Sequence, residues 1–471
     1  MKVLMFNNFF QKIESRPVLT FCLLLIFHAL LAIILFVVAN SEYLSNLHNG
    51  QGFWNFSKDS TLYHLEASNA SIFLRNSQWL DWWSAYGGHQ HVKLISLVYW
   101  TTGHETPISF EIINGLVWSS SIILLYKSSK LIFNNSIVSA ISVLFFFQPS
   151  ILMSSAHLLR DPFFILGICF MFYGWAILKK NKNNSGIIFI LIGSVLFISM
   201  RQYLSVALFS VFFFYSIKLI LNKEIPIPAI SLLIVPLFIF MQLASQDNHL
   251  ASFFQKVDIQ NSSNKGENIP EPLLIQNSSN KGENIPEPLL IQNSSNKGEN
   301  IPEPKSVIFW QPVTNTLNFL TYQLASMRDG FLIVNNSAGS KIDSDKPYNG
   351  FVDAILYFPR AVQVAFLSPF PSHWIENGKE TGRIGRMLSG LEMLSWYFII
   401  LGFLYIVFTR PLVIEPLLPI ITLSVFVIIL LGYVVPNIGA IYRMRQGFMI
   451  PFYMVGVYGI YSFIELINKK T

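Results

Sequence analysis

The chain reads as an all-α polytopic membrane protein with about ten to eleven transmembrane helices, and three observations predict it. First, 52% of its residues are hydrophobic and only 12% are charged, where soluble domains carry roughly 25% charged residues. Second, apolar runs of about the length needed to cross the hydrocarbon recur along the chain. Third, the basic residues of the short loops separate. Lys127, Lys130, Lys179, Lys180, Lys182, Lys218 and Lys223 fall on one side of the spans. Arg160, Arg201, Arg443 and Arg445 fall on the other. Positive charge normally collects on the cytoplasmic side, so arginines gathered opposite call for an anionic partner there.

The first span, 17–39, follows Lys2, Lys12 and Arg16. Its apolar run exceeds the signal-peptide core of about 7–15 residues, which predicts an uncleaved helix with its N-terminus inside. Further spans are expected at 107–126, 133–153, 162–178, 186–200, 202–217, 226–244, 388–409, 412–435 and 447–466. The fifth and sixth are separated only by Arg201, without Gly or Pro, so one long broken helix is the alternative. With ten spans both termini lie inside, and Lys469 and Lys470 agree. The stretch 351–370 holds Pro359, Arg360 and Pro369, which suits a broken or interfacial segment better than an eleventh span.

Two long loops are expected to face outward and to carry short interfacial helices. The first, 40–106, belongs to an N-terminal membrane region, 1–244; within it Thr61–Arg75 and Val92–Trp100 read as such helices. The second, 245–350, contains the 16-residue repeat IQNSSNKGENIPEPLL from Ile259 and again from Ile275, with a shorter copy from Ile291. Repeats 259–304 are too polar to bury a core and read as a duplicated spacer, with a ligand-binding array as the alternative. Region 351–471 holds the interfacial segment and the last spans. Cys22 and Cys169 both lie inside spans, which argues against a structural disulfide. The net charge of +6 is spread over loop ends rather than massed on a basic domain, which excludes a nucleic-acid binder.

The strongest local chemistry is FSKDSTLYHLEA, Phe56–Ala67, just beyond the first span. Asp59 or Ser60 would cap the helix that starts there. The functional reading makes Asp59 a general base for an acceptor hydroxyl, with Tyr63 and His64 beside the substrate. Near the C-terminus, NIGAIYRMRQGFMIPFYMVGVYGI sets Arg443 and Arg445 before an apolar run with Pro451 early in it.

On these two stretches and the overall layout, the chain resembles the membrane glycosyltransferases of the GT-C fold, relatives of protein mannosyltransferases and lipid A aminoarabinose transferases. The resemblance implies a catalytic carboxylate at Asp59 and a sugar donor carried on polyprenyl phosphate. The acceptor would be a glycan, a lipid or a protein; the charge asymmetry turns the active face outward, and a bacterial plasma membrane is the expected location. The family often shows a second acidic residue close to the first; here Glu66 lies seven positions on.

Arg160, in SSAHLLRDP, forms an end cap with Asp161 or binds phosphate; Arg201, Arg443 and Arg445 would converge with it on the donor. Guanidinium offers a planar fork of donors that matches phosphate oxygens. His89, His91 and His104 invite a metal, but no Cys or H-E-x-x-H pattern accompanies them; no cofactor is expected, and a divalent metal has no support in the sequence. The stretch Ser368–Tyr397, with Glu376, Glu380, Arg383 and Arg386, is a solvated hinge or an acceptor-facing loop. A polysaccharide polymerase or ligase using polyprenyl pyrophosphate is the second reading. A transporter is the third, disfavoured because His28 is almost the only ionisable residue at a span centre.

Overall fold

The computed structural model describes residues 16–181, 185–221, 311–334, 339–345, 350–378 and 381–470. The chain forms a larger unit, Met1–Asp247 with Thr321–Thr471, and a smaller one, Asn248–Leu320. The described helices of the first half are α1 (Pro17–Ala39), α2 (Lys58–Arg75), α3 (Trp79–Ser84), α4 (Gln90–Thr102), α5 (Glu111–Phe133), α6 (Ser136–Ser142), α7 (Pro149–Ser155), α8 (Asp161–Ala176), α9 (Ser185–Met200) and α10 (Ser205–Leu221). They continue with α11 (Gln311–Val334), α12 (Phe351–Leu367), α13 (Gly382–Thr409), α14 (Leu418–Val434), α15 (Ile438–Met444) and α16 (Gln446–Lys470). Of the smaller unit, only the beginning of α11 is described.

The protein is an all-α polytopic membrane protein. Among the described residues six helices are long and apolar enough to cross a membrane: Pro17–Ala39, Pro107–Phe133, Asp161–Lys180, Gly382–Thr409, Glu415–Val434 and Gln446–Lys469. Three departures from the sequence expectation, and one choice between its alternatives, have local causes. The span expected at 133–153 is a pair, Ser136–Phe147 and Pro149–Ser155, bent by 64°. Gln148 is extended at the bend (φ −60°, ψ 133°), as a residue before proline prefers. The two short spans do not merge: Arg201 leaves helical geometry (φ −143°, ψ 73°), and a 3-10 turn, Gln202–Leu204, separates α9 from α10. The segment at 351–370 is not broken, because α12 runs continuously with Pro359 inside it. The second long loop, expected to carry only short interfacial helices, holds a 24-residue helix, α11. The expected span at 226–244 and the 16-residue repeats lie outside the described residues.

Close backbone contact sets the register of the α8–α9 hairpin. A Cβ added to Gly193 would lie 2.5 Å from the Gly167 carbonyl, and one added to Gly186 would lie 2.4 Å from that of Gly174. Small residues at such crossings let helices approach without a side-chain layer. Antiparallel register then sets the start of α8 beside the end of α9, which brings Asp161 to Arg201. Lys179 and Lys180 lie at the opposite end, where Lys179 pairs with Glu415 at 3.3 Å. Lys179 thus lies about 27 Å along the helix from Asp161, at 1.5 Å per residue.

The C-terminal end of α12 is satisfied by side chains. Helix ends leave carbonyls without intrahelical partners. Here the carbonyl of Phe366 accepts from the Trp396 indole at 2.7 Å, and that of Leu367 accepts from the Tyr397 hydroxyl at 2.8 Å. Arg445 donates to the carbonyls of Ala365 and Ser368.

Gly193→Ala is expected to destabilise the fold by about 1–3 kcal/mol, the usual cost of overpacking. Thermal unfolding in detergent would register it as a lowered midpoint. Gly88→Ala, where an added Cβ meets nothing within 4 Å, should leave the midpoint unchanged.

Candidate functional site

Four remote segments converge at the Asp161 end of the bundle. Asp59 stands in the first turn of α2. It caps nothing: Ser57 occupies the cap position without a side-chain bond, and the Asp59 carboxylate instead accepts from Arg443 at 2.6 Å. Ser60, the other expected cap, accepts the backbone N–H of Leu158 at 3.2 Å. That bond ties the start of α2 to the segment that carries Arg160 and Asp161.

Asp161 is 7% exposed and opens α8. Arg201 donates to its Oδ1 at 2.7 Å, and Arg443 Nε lies 4.0 Å from its Oδ2. Arg201 also donates to the Met444 carbonyl at 3.2 Å and stacks 4.5 Å over the Phe164 ring. Its Nε is buried without a hydrogen-bond partner. Arg443 comes from α15, whose start is fixed by the Asn437 side chain accepting from the Ala440 N–H at 3.1 Å. Asp59 and Arg443 are both half-exposed, so the pair faces solvent. Arg160 is half-buried and lies close enough to Asp161, Tyr63 and His91 to act on them electrostatically. Among the described residues its guanidinium has no hydrogen-bonded partner.

Tyr63 is buried, 4.1 Å ring to ring from His91 and 5.1 Å from His89. Burial pushes its phenol up to about 12, with Arg160 drawing it down and Asp59 and Asp161 drawing it up. It therefore stays protonated and faces the cluster as a neutral group. His91 is 1% exposed, its Nε2 has no partner, and burial pulls its pKa down to about 3. Glu66, one turn beyond Tyr63 on the same face of α2, accepts from His89 Nδ1 at 2.7 Å.

Of the residues expected at the site, the structure brings together Asp59, Tyr63, Arg160, Arg201 and Arg443. It does not bring His64 or Arg445. His64 follows Tyr63 by one residue, about 100° around the helix. It packs against Phe53 and bonds the Tyr99 hydroxyl at 2.9 Å, and burial lowers its pKa. Arg445 is fully buried, and its guanidinium serves the end of α12, with Met393 Sδ at 2.9 Å. The Glu66–His89 pair escaped the sequence reading as a unit, although Asp59, Tyr63 and Glu66 are spaced i, i+4 and i+7. Glu392 of α13 escaped it too. Its carboxylate takes the N–H and hydroxyl of Ser150 at 2.8 and 2.6 Å and the hydroxyl of Tyr442, the neighbour of Arg443. Among the described residues no group of His, Cys, Asp and Glu has the arrangement of a metal site.

No known family, curated protein or solved structure matches this chain.

The burial of His91 makes acid destabilising. Its folded pKa of about 3 lies below the ordinary 6.5, so the unfolded chain binds the extra proton between those values. Stability is fully present above pH 6.5 and is lost as pH falls toward 3. Thermal midpoints measured from pH 7 to 5 should fall in the wild type and fall less steeply in His91→Phe. His157, pulled to about 4 by burial, adds a second contribution of the same sign that survives in that variant.

Proposed function

We propose that the protein is a membrane glycosyltransferase that moves a sugar from a polyprenyl-phosphate donor to an acceptor hydroxyl. The observation that carries this reading is the meeting of Arg160, Arg201 and Arg443 with Asp59 and Asp161, drawn from four remote segments. Three cations against two carboxylates leave the cluster positive by one. Arg201 and Asp161 are buried and fix each other, whereas Arg160 and Arg443 remain accessible to an incoming anion.

A polyprenyl phosphate suits such a place. Its tail belongs in lipid beside the spans, and its head would sit at the bundle end between these guanidiniums. Breaking the bond between sugar and phosphate leaves the phosphate with more charge. Fixed cations stabilise that charge more in the transition state than in the ground state. Asp59, which the sequence suggests as base, is the partner that holds Arg443 in place for this task. With lysines at the opposite end of α8, the positive-inside tendency turns the cluster outward, which in a bacterium is the outer face of the plasma membrane.

Full-length protein in nanodiscs, given labelled short-chain polyprenyl-phosphate hexoses and pentoses, should release polyprenyl phosphate. Asp59→Asn and Arg443→Gln should each slow release on the order of 10²–10³-fold, as for a lost oxyanion donor. The double variant should be about as slow as Arg443→Gln alone, since Asp59 acts through that guanidinium. Full activity in Asp59→Asn, or a wild-type rate regained in the double variant, would reduce the pair to a structural staple. Turnover of pyrophosphate-linked oligosaccharide alone would make the protein a polymerase or ligase instead.

A further inference from the structure

A second titratable pair borders the arginine cluster. His89 lies just before α4, and its Nδ1 contacts Glu66 at 2.7 Å. A carboxylate accepts hydrogen bonds, so Nδ1 carries a proton in this contact, and the neutral tautomer it selects has its lone pair on Nε2. The side chain of His89 is 31% exposed and so can meet a substrate. His91, two residues on, is buried and held neutral far below the useful range, which removes it as a competitor.

Two observations tie His89 to the arginine cluster. Its ring lies 5.1 Å from that of Tyr63, and Tyr63 feels the charges of Asp59, Asp161, Arg160 and Arg443. The Gly87 carbonyl, two residues before His89, accepts from Gln202 at 3.4 Å, and Gln202 adjoins Arg201. Asp59, by contrast, gives its carboxylate to Arg443.

We propose that the proton of the acceptor hydroxyl passes to Nε2 of His89, with Glu66 holding the imidazole, and that Asp59 positions Arg443; this rests on the sugar-transfer reading. In the step, the acceptor oxygen forms a bond to the anomeric carbon as the bond from that carbon to the donor phosphate oxygen breaks. The phosphate leaves with the bonding electrons, against Arg160 and Arg443. The hydroxyl proton goes to Nε2, and the resulting imidazolium is stabilised by the Glu66 carboxylate until it passes the proton to water. The titratable groups facing His89 are Glu66 and Tyr63 of α2 and His91 of its own segment, with Arg160 and Asp161 beyond His91.

The test is the pH profile of polyprenyl-phosphate release by full-length protein in nanodiscs, read from pH 4 to 9. A histidine base gives the wild type an acid limb, a fall in rate on the acid side of its maximum. His89→Gln should lower the maximal rate by about 10²–10⁴-fold, the contribution of a general base, and abolish that limb. It should leave binding of fluorescent polyprenyl monophosphate unchanged. Glu66→Gln, which removes the charge that favours imidazolium, should move the limb to lower pH; a purely structural pair would depress the rate equally at every pH. Asp59→Asn should keep the limb. Retention of limb and rate in His89→Gln, or loss of the limb in Asp59→Asn, overturns the inference and leaves sugar transfer standing. Absence of both release and monophosphate binding in the wild type removes the transfer reading and this inference together.

Discussion

The site depends on the burial of one carboxylate. Asp161 is 7% exposed, at the head of a helix that is buried almost along its length. An ionised carboxylate cannot be taken out of water without partners, because the desolvation cost far exceeds what a surface ion pair returns. Arg201 supplies the first partner, and its own burial is possible only because Asp161 and the Met444 carbonyl receive its protons. Arg443 stands between that buried pair and Asp59, which faces solvent. The cluster is therefore graded. Its inner half is fixed by mutual neutralisation, while its outer half keeps an exposed guanidinium that an anion can claim. Removing Asp161 would leave Arg201 charged and unpaired in an apolar setting, so the inner half is far less tolerant of change than the outer.

Buried polar groups recur where the bent pair meets the long spans. His28, at the centre of α1, contacts Glu111 and bonds Ser155 at 2.8 Å. Glu392 of α13 holds Ser150 and Tyr442. Ser150 and Ser155 bracket α7, the short helix after the 64° bend. Seven residues cannot cross a bilayer, so α7 must be held by its neighbours. These contacts hold it from α1, α13 and α15 at once. Its last residue leads through His157 and Leu158, pinned by Ser60, directly to Arg160. The bend thus delivers the one guanidinium of the cluster that has no partner of its own among the described residues.

The general architecture was legible because the hydrocarbon imposes a length and a composition that a sequence cannot hide. That Asp59 and arginines from remote segments meet was legible from charge; the direct pair of Asp59 with Arg443 was not. What the sequence could not convey was direction around a helix axis. Tyr63 and His64 are neighbours, yet one faces the cluster and the other faces Tyr99. Arg443 and Arg445 look equivalent in YRM and MRQ, but they flank the end of α15, and two positions turn one toward Asp59 and the other into the carbonyls of α12. Helix α11 escaped notice for a different reason. Its apolar residues alternate with Asn, Gln, Arg and Asp, so it has the stripe of a half-exposed helix rather than the run of a span.

Arg445 bears on how the site is held. It caps α12 from within the same short link, Met444–Gln446, whose Met444 carbonyl receives Arg201. One link between α15 and α16 therefore answers to the α8–α9 hairpin on one side and to α12 on the other. Arg443 sits one residue before it. Any shift of α12 relative to the hairpin would pull on that link and change the reach of Arg443 toward Asp59. Such a tether keeps the arginine cluster in register with α12. The fully buried guanidinium is then explained by geometry alone: a shorter or uncharged side chain could not span Ala365, Ser368 and Met393 at once.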